Sequence, residues 1–316
     1  MLKMNQIIFL LFFLTPNIFY GQKKDSFWIR QPTIYRGEPC NLTLEKLNEL
    51  IQLDSNEAAY YDCRGDVYFG LRNIKKSIED YTRAIQIEPN NPYTYNHRAS
   101  VYYSIQKPDF AIIDDNLALT YIDSDDTLKY EIINNRGNAK AMKRDFQGAY
   151  DDYMEVMNFD STSIGALLGL GAVLDDLNRV DDAILYLQKA LNLYPDDPSI
   201  YGNLAFRYMD KGDFKKALEL SEKVLTLAPE DPLGLNNRGF VKYKMHDFDG
   251  ALKDINKSLQ AYPENSFAYK NRGLVYIAEN KMREACIDLH KAVDLGFSEV
   301  YGDEVQNLIN KYCKKP

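Results

Sequence analysis

A small side chain recurs at two fixed places in every 34 residues over most of this chain, and that period limits the possible folds more than any other feature. With Pro198 as position 1, copies begin at Ala58, Pro92, Tyr130, Ile164, Pro198, Pro232 and Ser266; the step from Pro92 to Tyr130 is four residues longer. Position 8 is Gly65, Ala99, Gly137, Gly171, Ala205, Gly239 and Gly273. Position 20 is Ser77, Ala111, Ala149, Ala183, Ala217, Ala251 and Ala285. Helices that cross closely need short side chains at the crossing point. Within one copy, Tyr201, Leu204, Ala205 and Tyr208 fall at i, i+3, i+4 and i+7, one stripe of a helix. Gly212-Asp213 breaks the run. A second apolar face follows from Phe214 to Leu227, and Pro229 stops it. Such a hairpin is too short to be stable alone, so it needs copies stacked on either side.

Position 4 is bulky throughout: Tyr61, Tyr95, Ile133, Leu167, Tyr201, Leu235 and Tyr269. Prolines stand at position 32 as Pro89, Pro195, Pro229 and Pro263. The pattern resembles the tetratricopeptide repeat (TPR) from residue 58 to about 297. The resemblance implies an all-α fold, a right-handed α-solenoid of stacked helix-turn-helix hairpins, and a protein-binding scaffold as the class of function.

The same frame divides the chain. Residues 1–21 carry Lys3, the apolar run Ile7 to Leu14, then Thr15-Pro16 and Gly21, the layout of a secretory signal peptide. A spanning helix needs about 20 apolar residues, and Pro16 and Asn17 interrupt this run, so no integral membrane span is expected in the mature chain. The protein is therefore expected to be exported: periplasmic, envelope-associated or secreted. Residues 22–57 read as an irregular lead-in followed by an N-terminal capping helix near Leu42 to Leu53. Residues 58–299 hold seven repeats, and 300–316 a C-terminal capping helix whose Val300, Val305, Leu308 and Ile309 should cover the last hairpin.

Positions 7 and 23 vary together. Position 7 is Arg64, Arg98, Arg136, Leu170, Leu204, Arg238 and Arg272, against Asp80, Asp114, Asp152, Tyr186, Leu220, Asp254 and Asp288 at position 23. Arginine always accompanies aspartate. Pairing with the preceding repeat fails, since Arg238 would meet Leu220, so a structural ion pair is expected within each hairpin.

Positions 2, 5, 9 and 12 form the other stripe of the first helix, which in TPR proteins lines a concave ligand groove. Its N-terminal half is polar here, with Asp62, Asp66, Asn96, Ser100, Asn134 and Asn138. Its C-terminal half offers Phe206, Met209, Leu233, Phe240, Tyr243, Phe267, Leu274 and Ile277 beside Asn203, Asn236, Asn237 and Asn271. Amide side chains on an apolar strip suit a protein or extended-peptide partner, held by its backbone. The alternative for each residue is packing against the neighbouring helix. The basic clamp that grips chaperone C-termini in TPR proteins is disfavoured, because positions 5 and 9 are basic only at Lys270.

Other classes find little support. A net charge of -8 speaks against nucleic acid as a partner. His97, His246 and His290 lie at unrelated repeat positions, no HExxH or CxxC occurs, and there is no glycine-rich phosphate loop. No catalytic, metal or cofactor set is expected, and the chain is read as non-enzymatic. The pairs Asp175-Asp176 and Asp181-Asp182 are read as solvated faces or caps, and Asp123, Asp125 and Asp126 as helix caps rather than a calcium loop. Cys286 and Cys313 are placed for a possible disulfide stapling the C-terminal cap. Cys40 and Cys63 fall about two helical turns apart if both keep repeat positions, which speaks against a bridge. The second functional reading is a structural or assembly factor of the cell envelope, acting through the convex surface or self-association. Oligomeric state is not set by the sequence.

Overall fold

The computed structural model describes residues 33–35, 38–40, 42–298 and 302–313. The signal-peptide expectation for residues 1–21 lies outside them. The lead-in is not wholly irregular: Thr33–Tyr35 (β1) and Glu38–Cys40 (β2) pair antiparallel, with Thr33 opposite Cys40.

Helix α1, Leu44–Leu53, begins at Thr43, whose side chain accepts from Lys46 N at 3.2 Å. Its Leu47 is fully buried. The repeats follow as α2 (Ala58–Gly70) and α3 (Ile74–Ile87), α4 (Pro92–Ser104) and α5 (Pro108–Tyr121), α6 (Leu128–Met142) and α7 (Phe146–Phe159), α8 (Ile164–Asp176) and α9 (Val180–Leu193), α10 (Pro198–Asp210) and α11 (Phe214–Leu227), α12 (Pro232–Lys244) and α13 (Phe248–Ala261), and α14 (Ser266–Ala278) and α15 (Met282–Asp294). The final helix, α16, runs Glu304–Tyr312, shorter than the expected span from Val300, which lies outside the described residues.

The helix ends are written locally. Prolines open α4, α5, α10 and α12, where no intrahelical donor is needed. Asn91, Asp197, Asp231 and Asn265 cap the first helix of four repeats through their side chains. Within each hairpin, position 15 takes a left-handed backbone: Arg72, Gln106, Arg144, Asn178, Gly212, His246 and Asn280 all have φ between 57° and 79°. Only one of the seven is glycine, so the turn is imposed by its flanking helices and not by residue type. The caps expected at Asp123, Asp125 and Asp126 give way to Thr127, which stands at the N-cap of α6 without a side-chain bond, while Asp126 just before it accepts from Leu128 N through Oδ1 at 2.9 Å. The position-4 tyrosines also serve the turns. Tyr61, Tyr95 and Tyr201 each donate their hydroxyl to the carbonyl six residues earlier, Ser55, Pro89 and Pro195.

Packing divides the described chain into two units, up to Val173 and from Leu174, the division falling inside α8. In the first, successive helices α1 to α7 pack on one another, α2 lies beside α4 and α4 beside α6, and β1 rests on α2 and α4. In the second, α9 to α16 pack in succession, with α10 beside α12 and α12 beside α14. Each unit is thus a run of α-solenoid hairpins. The small residues at position 8 are used as slots. A Cβ on Gly65 would stand 2.8 Å from Tyr81, one on Gly137 2.8 Å from Tyr153, and one on Gly239 2.7 Å from Ile255. Where position 8 is alanine instead, as at Ala99 and Ala205, position 24 shrinks to Asp115 and Ser221. The crossing keeps its spacing by exchanging volume between the two helices.

Candidate functional site: the inner face of the repeats

The first helices of neighbouring repeats meet along the inner face through a repeated polar contact. Position 6 of one repeat reaches position 5 of the repeat before it. His97 Nδ1 lies 3.2 and 3.3 Å from the Asp62 carboxylate oxygens, Asn135 Nδ2 donates to Asn96 Oδ1 at 3.5 Å, and Asn271 Nδ2 donates to Asn236 Oδ1 at 3.0 Å. Reading the stripes copy by copy missed this, because the partners sit in different copies. The signal was available: polar residues stand at position 5 in one repeat and 6 in the next.

At the N-terminal end this contact gathers a cluster. Asp62 and Asp66 stand one turn apart on α2, and His97 comes from α4; Asp66 Oδ2 lies 3.9 Å from His97 Nδ1. Asp62 is fully buried. Asp66 Oδ1 accepts from the Tyr81 hydroxyl, while its Oδ2 is buried with no donor in the protein. Burial pushes the Asp66 carboxyl up, against the pull of His97. For His97 burial works downward, but Asp66 and Asp62 outweigh it and hold the imidazolium charged beyond its ordinary range. The histidine set aside in the sequence reading is therefore the centre of a buried charge cluster.

In the unit from Leu174, the apolar strip is assembled on α10, α12 and α14. Of the residues proposed to line it, Asn203, Phe206, Met209, Asn236, Phe240, Phe267 and Asn271 are buried, while Leu233, Asn237, Tyr243, Leu274 and Ile277 are half-buried. Packing thus claims part of the expected surface. Phe267 meets Phe297 edge-on at 4.9 Å and joins Leu289, Ala292 and Val305 in a core cluster to which Ile277 of α14 and Leu308 and Ile309 of the C-terminal cap add. Lys270, the one basic residue on the stripe, is buried. Its Nζ lies 5.4 to 5.7 Å from the ring centres of Phe240, Phe267 and Phe297, and 3.5 Å from Glu304 of α16. Burial pushes its pKa down, with Glu304 opposing. Two asparagines on the strip keep unpaired amide atoms: both Oδ1 and Nδ2 of Asn203, and Oδ1 of Asn271.

The arginines stay structural. Arg64, Arg98, Arg136, Arg238 and Arg272 each bind Asp80, Asp114, Asp152, Asp254 and Asp288 respectively through Nε and Nη2, at 2.7 to 3.0 Å. The structure adds a second tie. Nη1 of Arg64, Arg98, Arg136 and Arg272 donates to Asn48, Thr82, Asn116 and Asn256, each on the preceding second helix. One acid pair was misread: Asp175 is buried and bound by Arg207 at 3.0 Å, because Arg207 is itself buried and needs a counter-charge.

Cys286 and Cys313 form a disulfide, with Cα atoms 5.6 Å apart, tying α15 to the end of α16. Cys63 is disulfide-bonded as well. The argument against its bridging assumed a helical repeat position for Cys40, and residues 38–40 form a strand instead. The side chain of Cys40 lies outside the described residues.

Three family models match the chain: one described as TPR repeat over residues 65–106, and two described as tetratricopeptide repeat over 165–197 and 198–231. Comparison with curated proteins returns no match. Among solved structures, a tetratricopeptide repeat protein from Parabacteroides merdae is 18% identical, with 85% of this chain and 100% of that chain covered at a TM-score of 0.68. PilF of Pseudomonas aeruginosa is 18% identical over 71% of this chain and 95% of its own, TM-score 0.51. The C-terminal part of a TPR repeat-containing protein from Cytophaga hutchinsonii is 21% identical over 76% and 95%, TM-score 0.50. At these identities the likeness concerns the fold. With hairpins of 34 residues, small residues at each crossing and three matching models, the chain is a tetratricopeptide repeat protein.

Proposed function

We propose that this protein is a non-enzymatic scaffold that holds an extended segment of a partner protein on the inner face of α10, α12 and α14. Tetratricopeptide repeats generally bind proteins or peptides, which sets the class of partner. The observation that carries the reading is the row of half-buried side chains, Leu233, Asn237, Tyr243 and Leu274, on the neighbouring first helices α12 and α14. Apolar side chains beside an amide suit an extended segment, whose backbone offers both a donor and an acceptor. Export of the mature chain from residue 22 is part of the proposal, supported by the charged and apolar layout of residues 1–21 and by disulfide use at Cys63, Cys286 and Cys313.

The test is affinity capture from the source cell with residues 22–316, beside a Leu233→Asp, Leu274→Asp double variant of unchanged helicity. These positions are preferred to Phe240, whose ring is buried against Lys270. A partner bound by the parent chain and lost in the variant supports the inner face. Equal retention overturns it and directs attention to the outer helices, where Phe110 and Ile113 of α5 are exposed, as the envelope-assembly reading requires.

A further inference from the structure

We propose that Asp62, Asp66 and His97 form a binding site for one divalent first-row transition-metal ion, bridging the first helices of the first two repeats. Three observations carry this. The first is convergence. One ligand atom from each residue, two carboxylate oxygens and the imidazole Nδ1, all lie within 4.8 Å of one another. Two ligands about 2.0–2.2 Å from a tetrahedral ion stand about 3.3–3.6 Å apart. His97 Nδ1 is already 3.2 Å from the Asp62 Oδ2 and 3.9 Å from the Asp66 Oδ2. Both separations lie within a few tenths of an ångström of that spacing.

The second is an orphan acceptor. Asp66 Oδ2 is buried without any hydrogen-bond donor, whereas Oδ1 of the same carboxylate is held by Tyr81. Tyr81 is itself fixed in the slot opposite Gly65, so its hydroxyl orients the carboxylate as hydrogen-bond donors to metal ligands do. The third is charge. Two carboxylates face a single imidazole, which carries at most one positive charge. A divalent ion balances both carboxylates while His97 Nδ1 gives up its proton to solvent and donates its lone pair to the metal.

The donor set selects the ion. One nitrogen with two carboxylate oxygens suits zinc, manganese or cobalt, while magnesium and calcium favour oxygen-only shells. Asp66 and His97 each keep 18% of their side-chain surface, leaving one side open for entry and for a fourth ligand. Cysteine thiols do not compete, since Cys63, Cys286 and Cys313 are all oxidised. The site is independent of the peptide-binding proposal, which concerns the other unit of the chain.

The experiment is calorimetric titration of chelator-stripped, full-length protein with zinc chloride, repeated with magnesium chloride, and with thermal unfolding followed in parallel. The expected result is one equivalent of zinc bound, a rise in Tm that saturates at that ratio, and no response to magnesium. Asp66→Asn and His97→Gln should each weaken zinc binding at least 10-fold, and a His246→Gln, His290→Gln double variant should leave it unchanged. If His97→Gln fails to fold, Asp66→Asn, which removes one ligand charge at constant volume, decides. Absence of stoichiometric zinc binding overturns the proposal, as does undiminished binding in Asp66→Asn or loss in the His246, His290 variant.

Discussion

Arg98 grips Asp114 with Nε and Nη2, each at 2.8 Å, and its free Nη1 reaches back 3.0 Å to Thr82 on the preceding hairpin. The pair closes one hairpin and ties it to its neighbour. Asp114→Ala leaves a guanidinium mostly shielded from water without its counter-charge and is expected to cost about 3 kcal/mol. Replacing both residues by leucine should cost clearly less, because repeats five and six differ in this respect: Leu204 and Leu220 stand where Arg238 and Asp254 stand. Urea unfolding of the single and double variants checks this, and equal losses would count against the pair as a unit.

A glycine in a position-8 slot, Gly137, and one at the open end of a helix, Gly70, should respond in opposite ways to alanine. Gly137→Ala forces a Cβ to within 2.8 Å of Tyr153 and should destabilise by about 1–3 kcal/mol through overpacking. Gly70→Ala meets nothing within 4 Å and should stabilise by about 0.5–1 kcal/mol by removing backbone freedom from the unfolded chain. The midpoints of denaturant unfolding should move in opposite directions.

Asp115 occupies the place of a large apolar residue, and its Oδ1 is buried without a partner. Burial holds its carboxyl well above the ordinary range, with Asp114 adding to the shift, Arg136 opposing it and Asp152 adding again. A folded pKa above the unfolded one means that the folded state keeps a proton the unfolded state releases. Stability from this group is therefore complete below about pH 4 and is lost as pH rises toward the folded value. Asp115→Asn abolishes that loss, so its stability relative to the parent should increase from about pH 4 to pH 7. A pH-independent difference in unfolding free energy would contradict the assignment.

The Cys286–Cys313 disulfide closes a 27-residue separation. Cys313→Ser should lower stability by about 3–4 kcal/mol on the chain-entropy estimate. The loss should be local in its first effect: amide exchange across 304–312 should quicken before that of α12 and α13. Packing of Val305, Leu308 and Ile309 on Phe267 slows this fraying, and Phe267→Ala should accelerate it further.

Much of the fold was legible because it recurs. The hairpin boundaries, the small residues at positions 8 and 20 and the arginine–aspartate pairs each appear in several copies, so coincidence is averaged away. The exchange of volume between positions 8 and 24 was legible too: Ala99 with Asp115 and Ala205 with Ser221, against Gly137 with Tyr153. It explains why Asp115 departs from the repeat pattern.

Contacts inside one hairpin were determined by the sequence alone, since a period of 34 residues brings the same positions together in every copy. Tertiary structure decided the contacts between hairpins, which depend on how each leans on the next. His97 meets Asp62 and Asp66 only through that stacking. It also decided the ends. The β1–β2 pair on α2 and α4, and the enclosure of Lys270 by Phe297 and Glu304, involve segments that occur once and leave no periodic trace. The physical reason is the same in both cases: repetition encodes local geometry, whereas burial of the inner face depends on which non-repeating segment covers it.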